Sequence, residues 1–194
     1  DTYAKLLKLR NDHPELFFLH DSFTYYKSSA NIVTKICPEY SSDGSDMKAR
    51  TAWFNAEVDE IASYANQSTS QLGKLMLVND YFCANYTYDY SYSNYSPELF
   101  FRDKTGVCQA YTMAYKAVLD RLGITSTSVY SREMNHVWNF VYLDGSWYHI
   151  DVTWDDPVTS DGSNKLRYDY FAISESEIST NHFWTKDYTD KIKS

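Results

Sequence analysis

The chain is poor in the residues that break or loosen structure. Glycine occurs only 6 times and proline 4 times in 194 residues, which rules out a collagen-like or low-complexity disordered composition. It also lacks a basic excess: the formal net charge is −8. That argues against a nucleic-acid backbone or an anionic membrane as the main partner, because both want a basic face. No run approaches the apolar length of a membrane span, so no transmembrane segment is expected. The chain starts at Asp1, with neither an initiator methionine nor a signal peptide. The expectation is a trimmed start, any targeting segment having been removed with it. Cysteine is limited to three, an odd count. In an oxidising environment Cys37 and Cys83 could bridge and leave Cys108 free; in a reducing one all three stay thiols, and the sequence does not choose.

What the chain has in abundance is aromatic residues: 19 Tyr, 10 Phe and 5 Trp, enough to fill one domain core at this length. A short helical pattern (Tyr3, Leu6, Leu7, Leu9) stops before His13-Pro14. Phe23 to Lys27 and Asn31 to Cys37 read as two strands turning at Ser28-Ser29-Ala30, followed by a loop from Pro38 to Ser45 and a helix through Trp53, Val58 and Ile61. This first third, residues 1–65, carries no chemical motif and reads as a packing extension. Ser68-Thr69-Ser70-Gln71 offers a capping box for a second helix reaching about Ala84. Tyr86, Tyr88, Tyr90 and Tyr92 then alternate strictly, which puts four phenol rings on one side of an extended segment, either as a groove lining or as core cover.

Cys108 sits just behind Gly106 and opens the pattern Ala110, Met113, Ala114, Ala117, Val118, Leu122, an amphipathic helix that ends at Gly123. At a helix N-terminus the unpaired N–H groups and the dipole favour a thiolate over a thiol. The segment alone leaves open a small buried hydrophobe instead. Downstream, Ile124 to Tyr130, His136 to Leu143 and Ser146 to Val152 read as strands, the last two joined by Asp144-Gly145, a strong hairpin signal. A two-residue turn pairs Leu143 with Ser146, Tyr142 with Trp147, Phe140 with His149 and Trp138 with Asp151. Asp151 then lies diagonal to His136 on one face, at about 7 Å or less. A nucleophile, a base and an orienting carboxylate are what acyl transfer needs. His149 shares that face and competes for the role of base, and a one-residue bulge would turn Asp151 away.

The blocks Gly106-Val107-Cys108-Gln109-Ala110-Tyr111, His136-Val137-Trp138 and Trp147 to Asp155 resemble the transglutaminase-like superfamily, whose core reads Gly-x-Cys, His-x-Trp, and an Asp followed shortly by Trp and Asp or Asn. The resemblance runs from about Leu72 to Trp184, including a closing strand at 168–173 and a capped turn at Ser174 to Glu177, and it makes 66–194 the core domain. It implies an α+β fold with the cysteine helix packed on an antiparallel sheet that carries the histidine and the aspartate. It also implies Cys108 as nucleophile, His136 as base and Asp151 as orienter, choosing His136 over His149. The activity implied is cysteine-dependent acyl transfer on protein or peptide amides through a thioester, with either an amine (cross-linking) or water (protease or amidase) as acceptor, and without a cofactor. Many microbial members look like proteases or wall-peptide processing enzymes, so a cell-wall peptide is among the substrates implied.

The second oxyanion donor is open among Tyr88, Asn85 and Gln109. Trp138 and Trp154 are expected to wall the site. For His182 a structural hydrogen bond is the preferred reading, and for Asp155-Asp156 a solvated turn rather than a cation site. Cys108, His136 and Asp151 match no usual zinc spacing. The reading from another class is a non-catalytic surface or assembly module that binds protein or glycan through the Tyr86 to Tyr92 row. The odd cysteine count and acidic, Tyr-rich composition give an expectation of an extracytoplasmic bacterial protein.

Overall fold

The computed structural model describes residues 2–41, 44–156 and 166–186. Helix α1 (Thr2–Asp12) leads through a 3-10 turn at Pro14–Leu16 into the antiparallel hairpin β1 (Leu19–Lys27) and β2 (Val33–Tyr40). The second strand therefore consumes Pro38 and the two residues after it, which the sequence reads as loop. Helices α2 (Met47–Ala65) and α3 (Gln71–Asn85) follow. The cap of α3 is simpler than the expected box: Ser70 alone accepts from the Gly73 N–H at 3.1 Å.

The tyrosine row is where the alternation misleads. Only β3 (Thr87–Tyr88) is extended; the chain then turns about Asp89, whose carboxylate accepts from the N–H groups of Ser91, Ser93 and Asn94. These donors, with the Ser91 hydroxyl foremost, hold that carboxyl well below its usual range. Tyr92 consequently has φ of 54°, and the four rings part company. Tyr86 is buried and stacks on Phe100 at 4.3 Å, Tyr88 is half-buried, and Tyr90 and Tyr92 are exposed. Local side-chain hydrogen bonds to backbone N–H groups outweigh a period of two when Asp, Ser and Asn supply them.

Helix α4 (Pro97–Asp103) and strand β4 (Thr105–Gly106) lead into α5 (Cys108–Arg121). Residues Gln109 to Leu119 of α5 are all buried, more than the single apolar stripe its sequence shows. Helices α2, α3 and α4 surround it on one side and the sheet on the other. That sheet is antiparallel, in the order β5 (Ser126–Ser131), β6 (His136–Leu143), β7 (Ser146–Ile150). Its hairpin has the expected register, with Leu143 opposite Ser146 and Phe140 opposite His149, across a turn in which Asp144 and Gly145 have φ of 49° and 91°. Val141 faces α5 and joins the main core, while Trp138 and Phe140 enter a smaller cluster with Val129 and Ile178 on the other face.

The ladder ends at Ile150, so Trp138 and Asp151 do not pair as ladder residues. Asp151 leaves the sheet, caps the short helix α6 (Val152–Asp155) and donates its N–H to the Tyr170 carbonyl at 3.0 Å. The expected closing strand at 168–173 reduces to one bridge between His149 and Ile173. Helix α7 (Glu175–Ile178) then carries the capping box between Ser174 and Glu177.

Candidate active site

Cys108 is the first residue of α5 and remains half-buried, whereas Cys83 is buried and Cys37 lies on the hairpin; all three are free thiols. Its position is set from beneath. A Cβ on Gly106 would meet the Ala110 Cβ at 2.7 Å and Phe100 at 2.8 Å, so only glycine lets the chain enter α5 this closely. The Val107 N–H is held by the Asn94 carbonyl at 2.9 Å. Parallel pairing of β3 with β4 sets Tyr88 opposite Gly106, beside the cysteine.

His136 opens β6, buried, and its ring lines the same cavity as the Cys108 side chain. Its Nε2 lies 2.6 Å from Asp151 Oδ2, which leaves Nδ1 as the nitrogen able to exchange a proton with the thiol. Burial by itself disfavours the imidazolium, but the charge and hydrogen bond of Asp151, together with the Cys108 contact, hold the ring well above its ordinary value. Burial likewise disfavours the Asp151 carboxylate, and His136 and His182 reverse that, drawing its pKa below the ordinary range.

His182 is buried and its Nε2 lies 3.0 Å from the same Asp151 oxygen; it is a structural partner of the carboxylate, a role its sequence position hints at but cannot prove. His136, Asp151 and His182 bring their ligating atoms within 4.8 Å of one another, close enough in principle for a metal ion. The 2.6 and 3.0 Å separations are those of a shared-proton cluster, shorter than the about 3.3 Å between ligands around a tetrahedral zinc.

His149 lies away from the cysteine: it is buried, and its Nδ1 accepts from the Trp138 indole at 2.9 Å. Trp138 is itself buried beneath the His136 ring, 5.7 Å from it and nearly parallel, so it packs under that ring and does not line the Cys108 cavity. Trp154 is partly exposed and its ring lies 5.8 Å from His136. Of the oxyanion candidates, Tyr88 and Gln109 line the Cys108 cavity, but the Gln109 amide is bound to Asn11 at 2.9 Å. Asn85 lies at the end of α3 in a different depression, its amide on the Tyr81 carbonyl. Leu7, Asn11, Tyr92, Tyr95 and Asn135 also line the cavity. Tyr92 belongs to the alternating row that the sequence offers as a groove lining; no local motif marks Leu7, Asn11, Tyr95 or Asn135, and only the fold brings them there.

Asp155 and Asp156 correct the expectation of a solvated turn: both are buried. Tyr111 donates its hydroxyl to Asp156, and the Tyr170 N–H donates to Asp155 Oδ1 at 2.9 Å. Burial, with the charges of Asp151 and Asp169, pushes Asp155 up to about 7, and burial pushes Asp156 up to about 6. Asp155 also donates its backbone N–H to the Asp151 carbonyl at 3.1 Å. Asp151, Tyr170 and Asp155 thus close a ring of hydrogen bonds that fixes Asp151 from behind.

The comparisons with known proteins follow this geometry. Residues 59–152 match the model of the transglutaminase-like superfamily. No match emerges among curated proteins. Among solved structures, a TGase superposes over 91% of this chain and 53% of its own, with a TM-score of 0.50 at 16% identity. A candidate cysteine protease from Cytophaga hutchinsonii covers 52% of this chain and 37% of its own, at 18% identity and a TM-score of 0.45. The chain spans about half the length of the first and about a third of the second, and at these identities the likeness to the TGase is one of fold. Residues 59–152 are thus similar to the transglutaminase-like superfamily core, and the chain shares its mixed helix-and-sheet fold with the TGase.

Proposed function

We propose that the protein is a cysteine-dependent acyl-transfer enzyme acting on protein or peptide amides. The observation that carries this is a half-buried thiol at the start of α5, an imidazole lining the same cavity, and a buried carboxylate 2.6 Å from one nitrogen of that imidazole. His136 accepts the Cys108 proton, and the sulfur attacks the amide carbon. Collapse of the tetrahedral adduct breaks the C–N bond, His136 returns the proton to the leaving nitrogen, and a thioester remains. An incoming amine or water then loses a proton to His136, attacks the thioester, and the thiol is released. The Cys108 backbone N–H at the helix start is the natural first oxyanion donor, and the Tyr88 hydroxyl, beside Gly106, is the second. Asp151 keeps the imidazole in the tautomer that presents Nδ1 to sulfur.

The test is incubation of the parent and Cys108→Ser with casein and monodansylcadaverine. Cysteine-dependent fluorescence incorporation establishes amine transfer, and cysteine-dependent fragments without incorporation establish hydrolysis. Neither outcome, in a protein whose Cys108 is intact, would sink acyl transfer on proteins. We assign no location in the cell beyond proposing an extracytoplasmic bacterial one, which fractionation of the source cells would check.

A further inference from the structure

The cavity above Cys108 has a wall built from outside residues 59–152, the segment that matches the superfamily model. Leu7 and Asn11 belong to α1, about a hundred residues before Cys108, yet they line the same cavity as Cys108 and His136. Asn11 is buried, and its Oδ1 receives the Gln109 amide at 2.9 Å. The helix is pinned there by a polar clamp on β5. Asp12 Oδ1 accepts from both the N–H and the hydroxyl of Ser128, each at 2.7 Å, and Asp12 Oδ2 accepts from Thr127 at 2.8 Å and Lys8 at 2.7 Å. Lys8 in turn donates to the Ser128 carbonyl at 3.1 Å. A helix held to β5 by four of these contacts is a fixed wall, not a frayed terminus.

The chemistry of the lining selects its occupant. Among the described residues no Lys, Arg, Asp or Glu lines the cavity, and its ionisable members are tyrosines and the Cys108–His136 pair at its floor, so a charged side chain lying against the α1 wall would lose water with no charged partner on that wall. The side chains present are the carboxamides of Asn11, Gln109 and Asn135, tyrosine rings, and the aliphatic Leu7, Val107 and Val137. Asn11 and Gln109 hold each other, Asn135 offers a donor and an acceptor together, as a peptide unit of an extended chain requires, and the aliphatic residues suit an uncharged side chain.

We propose that α1 forms one wall of the acyl-donor site and that Leu7 and Asn11 select an uncharged stretch of extended polypeptide. This rests on the acyl-transfer reading of Cys108. The probes are three acetylated tripeptidyl chloromethyl ketones that differ only in a central Leu, Glu or Lys, each compared with iodoacetamide by mass spectrometry of the peptide carrying Cys108. In the parent the Leu reagent outpaces both charged reagents by about tenfold, the scale expected for desolvating an unpaired charge. Leu7→Lys raises the relative rate of the Glu reagent by about fivefold and Leu7→Glu does the same for the Lys reagent, the size of one partly exposed charge pair.

Opposite gains in the two variants cannot come from unfolding, which would level all three reagents. Leveling in both variants, or unchanged preferences in both, overturns the placement of Leu7. Equal rates for the three reagents in the parent overturn the proposal while leaving the nucleophile intact, as does stronger protection of Cys108 by N-acetylchitotriose than by acetyl-Ala-Leu-Gly-amide, which would make the wall a glycan site. Failure of iodoacetamide to modify Cys108 in the folded parent instead removes the acyl-transfer reading itself.

Discussion

Replacing Asp155 with asparagine should stabilise this protein at neutral pH, although the residue is a fully buried member of the site's supporting shell. Burial and the neighbouring charges of Asp151 and Asp169 raise the Asp155 carboxyl to about 7 in the folded chain, against an ordinary value of about 3.9 when unfolded. A carboxyl raised on folding favours the folded state below its unfolded value and works against it as pH climbs through the folded value. Worked through that linkage, the penalty is about 1 kcal/mol at pH 4.5 and about 4 kcal/mol at pH 8. Asparagine removes the ionisation while keeping the geometry. Its carbonyl can still accept from Tyr170, and its NH2 can donate to Asn79 Oδ1. The Asn79 side chain interacts with the Asp155 carboxyl, and among the described residues Asn79 Oδ1 has no donor of its own.

The assay is urea unfolding of parent and Asp155→Asn at both pH values. The advantage of the variant should grow by about 3 kcal/mol from pH 4.5 to pH 8, a difference in melting temperature of roughly 6–12 °C for a chain of this size. A pH-independent difference, or a variant less stable than the parent at pH 8, would show that the carboxylate is ionised and needed as an anion, and would refute the reasoning.

Three further outcomes follow from the site. His136→Ala should slow iodoacetamide modification of Cys108 at pH 6 by tenfold or more and much less at pH 9.5, where an ordinary thiol of about 8.5 ionises without help; equal slowing at both pH values would mean that the raised imidazolium is not what activates the sulfur. Asp151→Asn strips two histidines of their common acceptor and should cost about 3–5 kcal/mol in urea unfolding at pH 7; since this carboxyl is drawn down by folding, the deficit should shrink as pH falls through and below the ordinary carboxylate range, and a constant deficit would contradict the ion pair. Gly106→Ala should lower stability by about 1–3 kcal/mol and slow Cys108 alkylation, whereas a neutral thermal melt would show that Phe100 and Ala110 yield freely.

The hairpin shows how far sequence alone could go. Asp144-Gly145 fixes a two-residue turn, the turn fixes the register, and the register brings His136 near Asp151, all from local rules. The final step is different: Asp151 meets His136 after leaving the ladder, anchored by Tyr170, whose contribution lies in a segment without a periodic signal. The tyrosine row failed for the same kind of reason, since period-two patterning cannot weigh a turn organised by one aspartate and its serine donors. Asp155 and Asp156 read as a solvated turn because two adjacent acids usually are one. Burial here depends on Tyr111 and Tyr170, from α5 and the chain beyond residue 166. Leu7 and Asn11 had no signal at all, because their role depends on a contact between residues about a hundred positions apart.

The clamp on α1 also orders the assembly of the molecule in time. Lys8 and Asp12 are synthesised first, but their partners Thr127 and Ser128 emerge more than a hundred residues later. Until then α1 has no strand to grip. Cys108, His136 and Asp151 lie within a 44-residue span (108 to 151), whereas contacts of long sequence separation are costly to close. The clamp therefore cannot close before residue 128 has been made, and the α1 side of the cavity stays open until then.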